Sequence, residues 1–155
     1  MQTNLPVTLT ELELRSFRRL AGIMVPASAE FHVPGADDAA IFDDIVRSLG
    51  RDGLAVRQAL AALDELCNGS FCDLNAGQAE AAAMTLLARS EPMITALGRA
   101  VLQCYYRDDR VFRALGREAR PPFPLGHELE QGDWSLLDAQ CGRPRMWRDL
   151  DGYGG

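Results

Sequence analysis

Two histidines, four cysteines and several adjacent acid pairs are the residues of this 155-residue sequence whose types could carry chemistry. An imidazole titrates near neutral pH and is the natural general base, so His32 or His127 would anchor an independent small helical enzyme or ligand-binding protein. Each stands alone in a loop bordered by proline and glycine, which fits an ordinary surface or capping role equally well. Cys67, Cys72, Cys104 and Cys141 are scattered through a chain large enough to fold without staples, and they read as thiols. Zinc requires closely spaced ligand pairs, and only Cys67 and Cys72 come near that spacing. A redox or metal module on this pair stays open, as does a disulfide if the protein is exported. The pairs Asp37-Asp38, Asp43-Asp44 and Asp108-Asp109 could hold a divalent cation, but they fall at predicted helix starts or faces, where charge complementing the helix dipole accounts for them. There is no glycine-rich dinucleotide turn, Walker loop or Gly-x-Ser-x-Gly elbow. The expectation is a chain with no catalytic residue, no metal and no cofactor of its own.

Composition points toward a protein partner. With 47% hydrophobic and 25% charged residues, the chain can bury one sizeable core. A formal charge of -6 repels phosphate backbones and anionic membrane surfaces, so nucleic acid is excluded as the expected partner. The 16 basic residues counted in that charge are all arginines, dispersed among acids, a composition favoured at protein interfaces. No stretch approaches the roughly 20 apolar residues that cross a bilayer. Arg18-Arg19 ahead of Leu20-Ala21-Gly22-Ile23-Met24-Val25 has the look of a twin-arginine export signal. Leu12, Leu14, Phe17 and Ala21 already have helical spacing around it, so it reads as a surface pair on a domain helix.

The elements that would position these residues are helices. Thr10 and Glu13 have capping-box spacing, which starts a first helix at Thr8 or Thr10 that runs to about 25, where Pro26 stops it. Asp37 and Asp38 open a second, with Phe42, Ile45, Val46 and Leu49 as its stripe. A third covers 54–66 and buries Val56, Ala59, Leu60 and Leu63, with Asn68-Gly69 closing it. Phe71 is expected between the third and fourth helices, and Leu74 as a staple before a fourth that starts at Asn75 and Gln78 and runs through 88. Ala81, Ala82 and Ala83 would admit a close neighbour. Ser90 as cap, with Glu91 and Pro92, starts a fifth helix that ends near Tyr106; Ile94, Leu97, Val101, Leu102, Cys104 and Tyr105 make it the expected middle of the fold. Asp108 or Asp109 opens a short sixth, through Val111, Phe112 and Leu115, that Gly116 ends. The fold class is therefore all-α, a compact bundle of five to six helices over 1–116.

Residues 117–155 differ in character. Prolines and glycines prevent any long helix, yet Phe123, Leu125, Leu129, Trp134, Leu136, Leu137, Met146 and Trp147 are too apolar for a solvated tail. An extended, aromatic-rich arm of this kind packs on its own domain or on a partner. Of the adjacent Tyr105 and Tyr106, the first reads as core and the second as core or interface, since neighbours on a helix point about 100° apart. Tyr106, Arg110, Phe123, Trp134, Leu136 and Trp147 are the candidate partner-binding residues.

The order of these signals resembles the small subunit, also called subunit 3 or gamma subunit, of the gluconate 2-dehydrogenase family. The matching pieces are Ile23-Met24-Val25-Pro26, Pro34-Gly35-Ala36 with the acidic helix after it, Phe71-x-x-Leu74 leading to Gln78, and Tyr105-Tyr106 with Asp108, Arg110, Val111 and Phe112. Pro122, Pro124-Leu125-Gly126 and Gly132-Asp133-Trp134-Ser135-Leu136-Leu137-Asp138 follow. The resemblance implies a non-catalytic accessory subunit that binds, stabilises and helps mature a large FAD-dependent oxidoreductase of the glucose-methanol-choline (GMC) type. The flavin and the catalytic base belong to that partner, and a cytochrome c or another acceptor takes electrons from the complex. Relatives often carry a twin-arginine leader ahead of the Val-Pro segment. This sequence departs there, because Thr10 already opens the first helix. The expected location is cytoplasmic with Met1 as the start, and periplasmic if a leader was removed or the complex is co-exported.

Overall fold

Capping side chains written into the sequence set the starts of four helices, at Glu11, Ala39, Ala76 and Asp109. A computed structural model describes residues 8–121, 123–126 and 130–144. Helix α1 (Glu11–Met24) opens on a reciprocal box: the Glu13 amide donates to Thr10 Oγ1 at 3.3 Å, and the Thr10 amide donates to the Glu13 carboxylate at 2.6 Å. Two of the helix's orphan donors are thereby satisfied. Helix α2 (Ala39–Ser48) is capped by Asp38, whose carboxylate accepts from the Ala40 and Ile41 amides. Helix α3 (Gly53–Cys67) ends on Asn68, whose φ of +51° is the left-handed conformation that asparagine tolerates. Helix α4 (Ala76–Leu87) repeats the box with Asn75 and Gln78. Helices α5 (Pro92–Tyr105) and α6 (Asp109–Ala114) follow, the latter capped by Asp108. Gly116, at φ +73°, turns the chain after α6.

The fold is all-α. Among the described residues the only β-type pairing is an isolated bridge, Ser28 with Val33, which closes the connector between α1 and α2. No helix among them is long and apolar enough to cross a membrane. The chain divides into two units, 1–119 and 120–155.

In the first unit Phe17, Leu20, Ile41, Ile45, Val56, Leu60, Leu63, Leu97 and Val101 are fully buried. The Phe17 and Phe42 rings meet edge to face at 5.4 Å. Helix α3 packs on α1, α4 and α5, whereas α5 packs on α2 and α3, so α3 rather than α5 holds the middle. Four further expectations are corrected. Leu12 and Leu102 are 47% and 41% exposed. Each lies five residues from a buried partner, Phe17 and Leu97 respectively, which puts it about 140° around its helix from the core. Ala81 is exposed because Ala79 and Ala83 face inward, and a residue midway between them points out. Glu91, not Ser90, occupies the cap position of α5, and it makes no side-chain cap bond; Pro92 supplies the start instead.

The second unit, expected as an extended arm, carries a 3₁₀ turn (Trp134–Leu137) that runs into a one-turn helix α7 (Asp138–Cys141). The Asp133 carboxylate starts it, accepting from the Ser135 amide at 3.1 Å and hydroxyl at 2.6 Å.

Candidate functional site

Tyr105 and Tyr106 divide as their helical phase requires. Tyr105 is 5% exposed and belongs to the core, where burial pushes its hydroxyl pKa up. Tyr106 is 51% exposed and rests edge to face on Tyr105, ring centroids 5.3 Å apart. One turn before it on α5 stands the exposed Leu102, and α6 presents Phe112 and its cap residue Leu115, also exposed. The C-terminal end of α5 and the α6 turn thus display large apolar side chains whose helices bury other faces.

Arg110 sits differently from its neighbours. Its Nη2 and Nη1 donate to the two Asp38 oxygens at 2.7 and 3.2 Å, while Nε and Nη2 reach Asp108 at 3.0 Å. Asp38 and Asp108 are the caps of α2 and α6, so one guanidinium ties two helix starts together. Arg110 holds both carboxyls below the ordinary aspartate range, and the capping amides add to its effect. This candidate partner-binding residue is therefore engaged within its own chain. Two more arginine–aspartate pairs fix α5: Arg99 forks Asp52 at 2.6 and 3.1 Å, and Arg107 reaches Asp44 at 2.6 Å.

In the second unit Phe123, Trp134 and Leu136 are 87%, 67% and 77% exposed, and the Trp134 indole donates to Gln131 at 3.2 Å. Trp147, Met146, Leu129 and His127 lie outside the described residues. His32 is exposed at the tip of the Ser28–Val33 turn with a positive φ, and no described residue hydrogen-bonds its ring. Cys67, Cys72, Cys104 and Cys141 are free thiols, with burial raising the pKa of Cys67 and Cys104. No three His, Cys, Asp or Glu side chains among the described residues are grouped as a metal would need.

One constellation was not singled out from the sequence. Arg15, Arg18 and Arg19, at positions i, i+3 and i+4 of α1, share a face and line an open cleft of about 310 Å³ with Asp37 and Cys72. Arg19 is half-buried. Its Nη1 donates to the carbonyls of Phe71 and Cys72, both at 2.9 Å, and its Nη2 to those of Leu74 and Asn75 at 2.7 and 3.2 Å. The exposed Arg18 gives its Nε to the Asp37 carbonyl at 2.8 Å and covers the Phe42 ring at 5.9 Å. Cys72 Sγ lies 3.2 Å from the buried Ser16 hydroxyl. The twin-arginine pair is thus part of a domain helix, as its surroundings implied, although only Arg18 is a surface residue. The spacing of the three arginines was the available signal.

No family model, curated protein or solved structure matches this chain.

Proposed function

We propose that this chain is the non-catalytic small subunit of a flavin-dependent dehydrogenase complex, which binds, stabilises and helps mature a large FAD-containing enzyme of the GMC type acting on a sugar or alcohol. The observation that supports this reading best is the exposed Leu102–Tyr106 pair, one turn apart on a helix whose opposite side is core. Large apolar and tyrosine side chains displayed at the end of a rigid helix are what a protein interface uses as anchors. The order of motifs through the chain, from Ile23-Met24-Val25-Pro26 to Gly132-Asp133-Trp134, supplies the class of partner by resemblance. FAD sits in that partner, and a cytochrome c or other acceptor collects the electrons.

Purification of the tagged chain from its native host tests this. The expected result is a yellow complex with a polypeptide of several hundred residues, from which the isolated small chain emerges colourless and inactive. Flavin that stays with the isolated chain, or turnover of a sugar or alcohol by it, overturns the proposal.

A further inference from the structure

We propose that the cleft lined by Arg15, Arg18 and Arg19 is a binding site for a small oxyanion, a carboxylate or phosphate, independent of the apolar display at the end of α5. The chain carries 22 acidic against 16 basic residues, so neutralising partners are plentiful. Seven other arginines take one, each within 4.0 Å of a carboxylate. Arg15, Arg18 and Arg19 take none among the described residues, although they crowd one face of one helix. Uncompensated like charges at i, i+3 and i+4 cost stability, and an anion between them relieves that cost.

Asp37, the acid in the cleft, does not fill this role. Its carboxylate is tucked against two glycines: a Cβ at Gly22 would come 2.9 Å from Asp37 Cγ, and one at Gly35 would come 2.4 Å from Oδ1. Three guanidinium groups thus line the cleft with one carboxylate, and Asp37 forms no ion pair with them within 4.0 Å. The donors are also available. Arg19 spends both terminal nitrogens on the backbone of residues 71–75, fixing the cleft wall. Arg18 is anchored through Nε, which leaves its terminal nitrogens for a ligand, and Arg15 offers its whole fork. Two planar forks match the oxygen pairs of a carboxylate or phosphate. At about 310 Å³ the space suits a small molecule.

Cys72 in the cleft wall provides the readout. Alkylation of the full chain by neutral iodoacetamide is followed at Cys72 by peptide mass spectrometry, with Cys67 as internal reference. Inorganic phosphate and tricarballylate are compared with chloride at equal ionic strength. A bound oxyanion at about ten times its Kd slows Cys72 alkylation by roughly tenfold, saturably, and leaves Cys67 unchanged. Whichever of the two protects at lower concentration identifies the phosphate or the carboxylate source. Arg15→Gln, at an exposed position without a described partner, weakens the protection, and Arg15→Gln with Arg18→Gln abolishes it without changing the helical circular dichroism. Absence of protection, equal protection by chloride, or protection that survives Arg15→Gln in a folded chain overturns the proposal.

Discussion

The Arg19 guanidinium lies over the Phe71 ring, 5.3 Å from its centroid, and also donates to the Phe71 carbonyl at 2.9 Å. A residue of α1 thereby holds a segment 52 positions later, where it also donates to the Cys72 and Leu74 carbonyls at 2.9 and 2.7 Å. Phe71 itself is fully buried, and its amide donates to the Asp64 carboxylate at 2.9 Å. The 3₁₀ turn it opens packs against α1 and α3.

Phe71→Ala should therefore cost about 3 to 5 kcal/mol, read as a lower denaturation midpoint with an unchanged slope. Arg19→Met should cost about 1 to 3 kcal/mol, because part-buried carbonyls lose their donors. An unaltered midpoint in either variant would remove that residue from the packing described.

Two glycines should respond with opposite sign. A Cβ at Gly35 would lie 2.9 Å from the Ala27 backbone nitrogen and 2.4 Å from Asp37 Oδ1, so Gly35→Ala should destabilise by about 1 to 3 kcal/mol. Gly98 lies inside α5 with nothing within 4 Å of its would-be Cβ. Gly98→Ala should stabilise the isolated chain by about 0.5 to 1 kcal/mol through helix propensity. Thermal melts of the two variants should move apart; movement in the same direction would contradict the crowding at Gly35 or the open space at Gly98.

The Arg110 clamp predicts an acid limb. Asp38 and Asp108 have folded pKa values below the ordinary 3.8, so the unfolded chain binds more protons as pH falls past that value. Their contribution is present above pH 4 or so and is lost as pH falls through the folded values. Arg110→Gln raises both toward normal, so the variant should be less stable at neutral pH and lose less of its stability on acidification. Melting temperatures from neutral to acidic pH test this; parallel profiles for wild type and variant would rule the linkage out.

These features differ in how far the sequence discloses them. The Thr10–Glu13 and Asn75–Gln78 boxes, the Asp38 and Asp108 caps and the Asn68 stop are local, and their spacing is sufficient. Leu12 and Leu102 misled because an apolar stripe read too wide takes in residues some 140° from the core. Arg19 meets Phe71, and Arg110 meets Asp38 across 72 positions, only through tertiary packing, which no spacing rule encodes. The arginine cleft was half legible: the spacing of Arg15, Arg18 and Arg19 marks one face, but not the Cys72 that borders it.

Substitutions on the two apolar surfaces decide which of them grips the proposed flavoprotein partner. If the α5 end carries the interface, Tyr106→Ala should weaken the complex by about 2 kcal/mol or more, as anchoring aromatics do. The fold should tolerate the change, since Tyr106 is half exposed and its Tyr105 neighbour keeps its core contacts. Leu102→Asp should act in the same way by placing a charge in an apolar contact. Trp134→Ala reports on the C-terminal unit, where the indole is exposed and held only by Gln131 among described side chains. Removal of residues 121–155 reports on that whole unit, including Trp147. Loss of co-purified flavoprotein with retained circular dichroism on Trp134→Ala or truncation assigns the grip to the C-terminal unit, whereas loss in Tyr106→Ala and Leu102→Asp alone assigns it to α5. A complex unaffected by all four changes would exclude both surfaces, and with them the interface on which the proposed function rests.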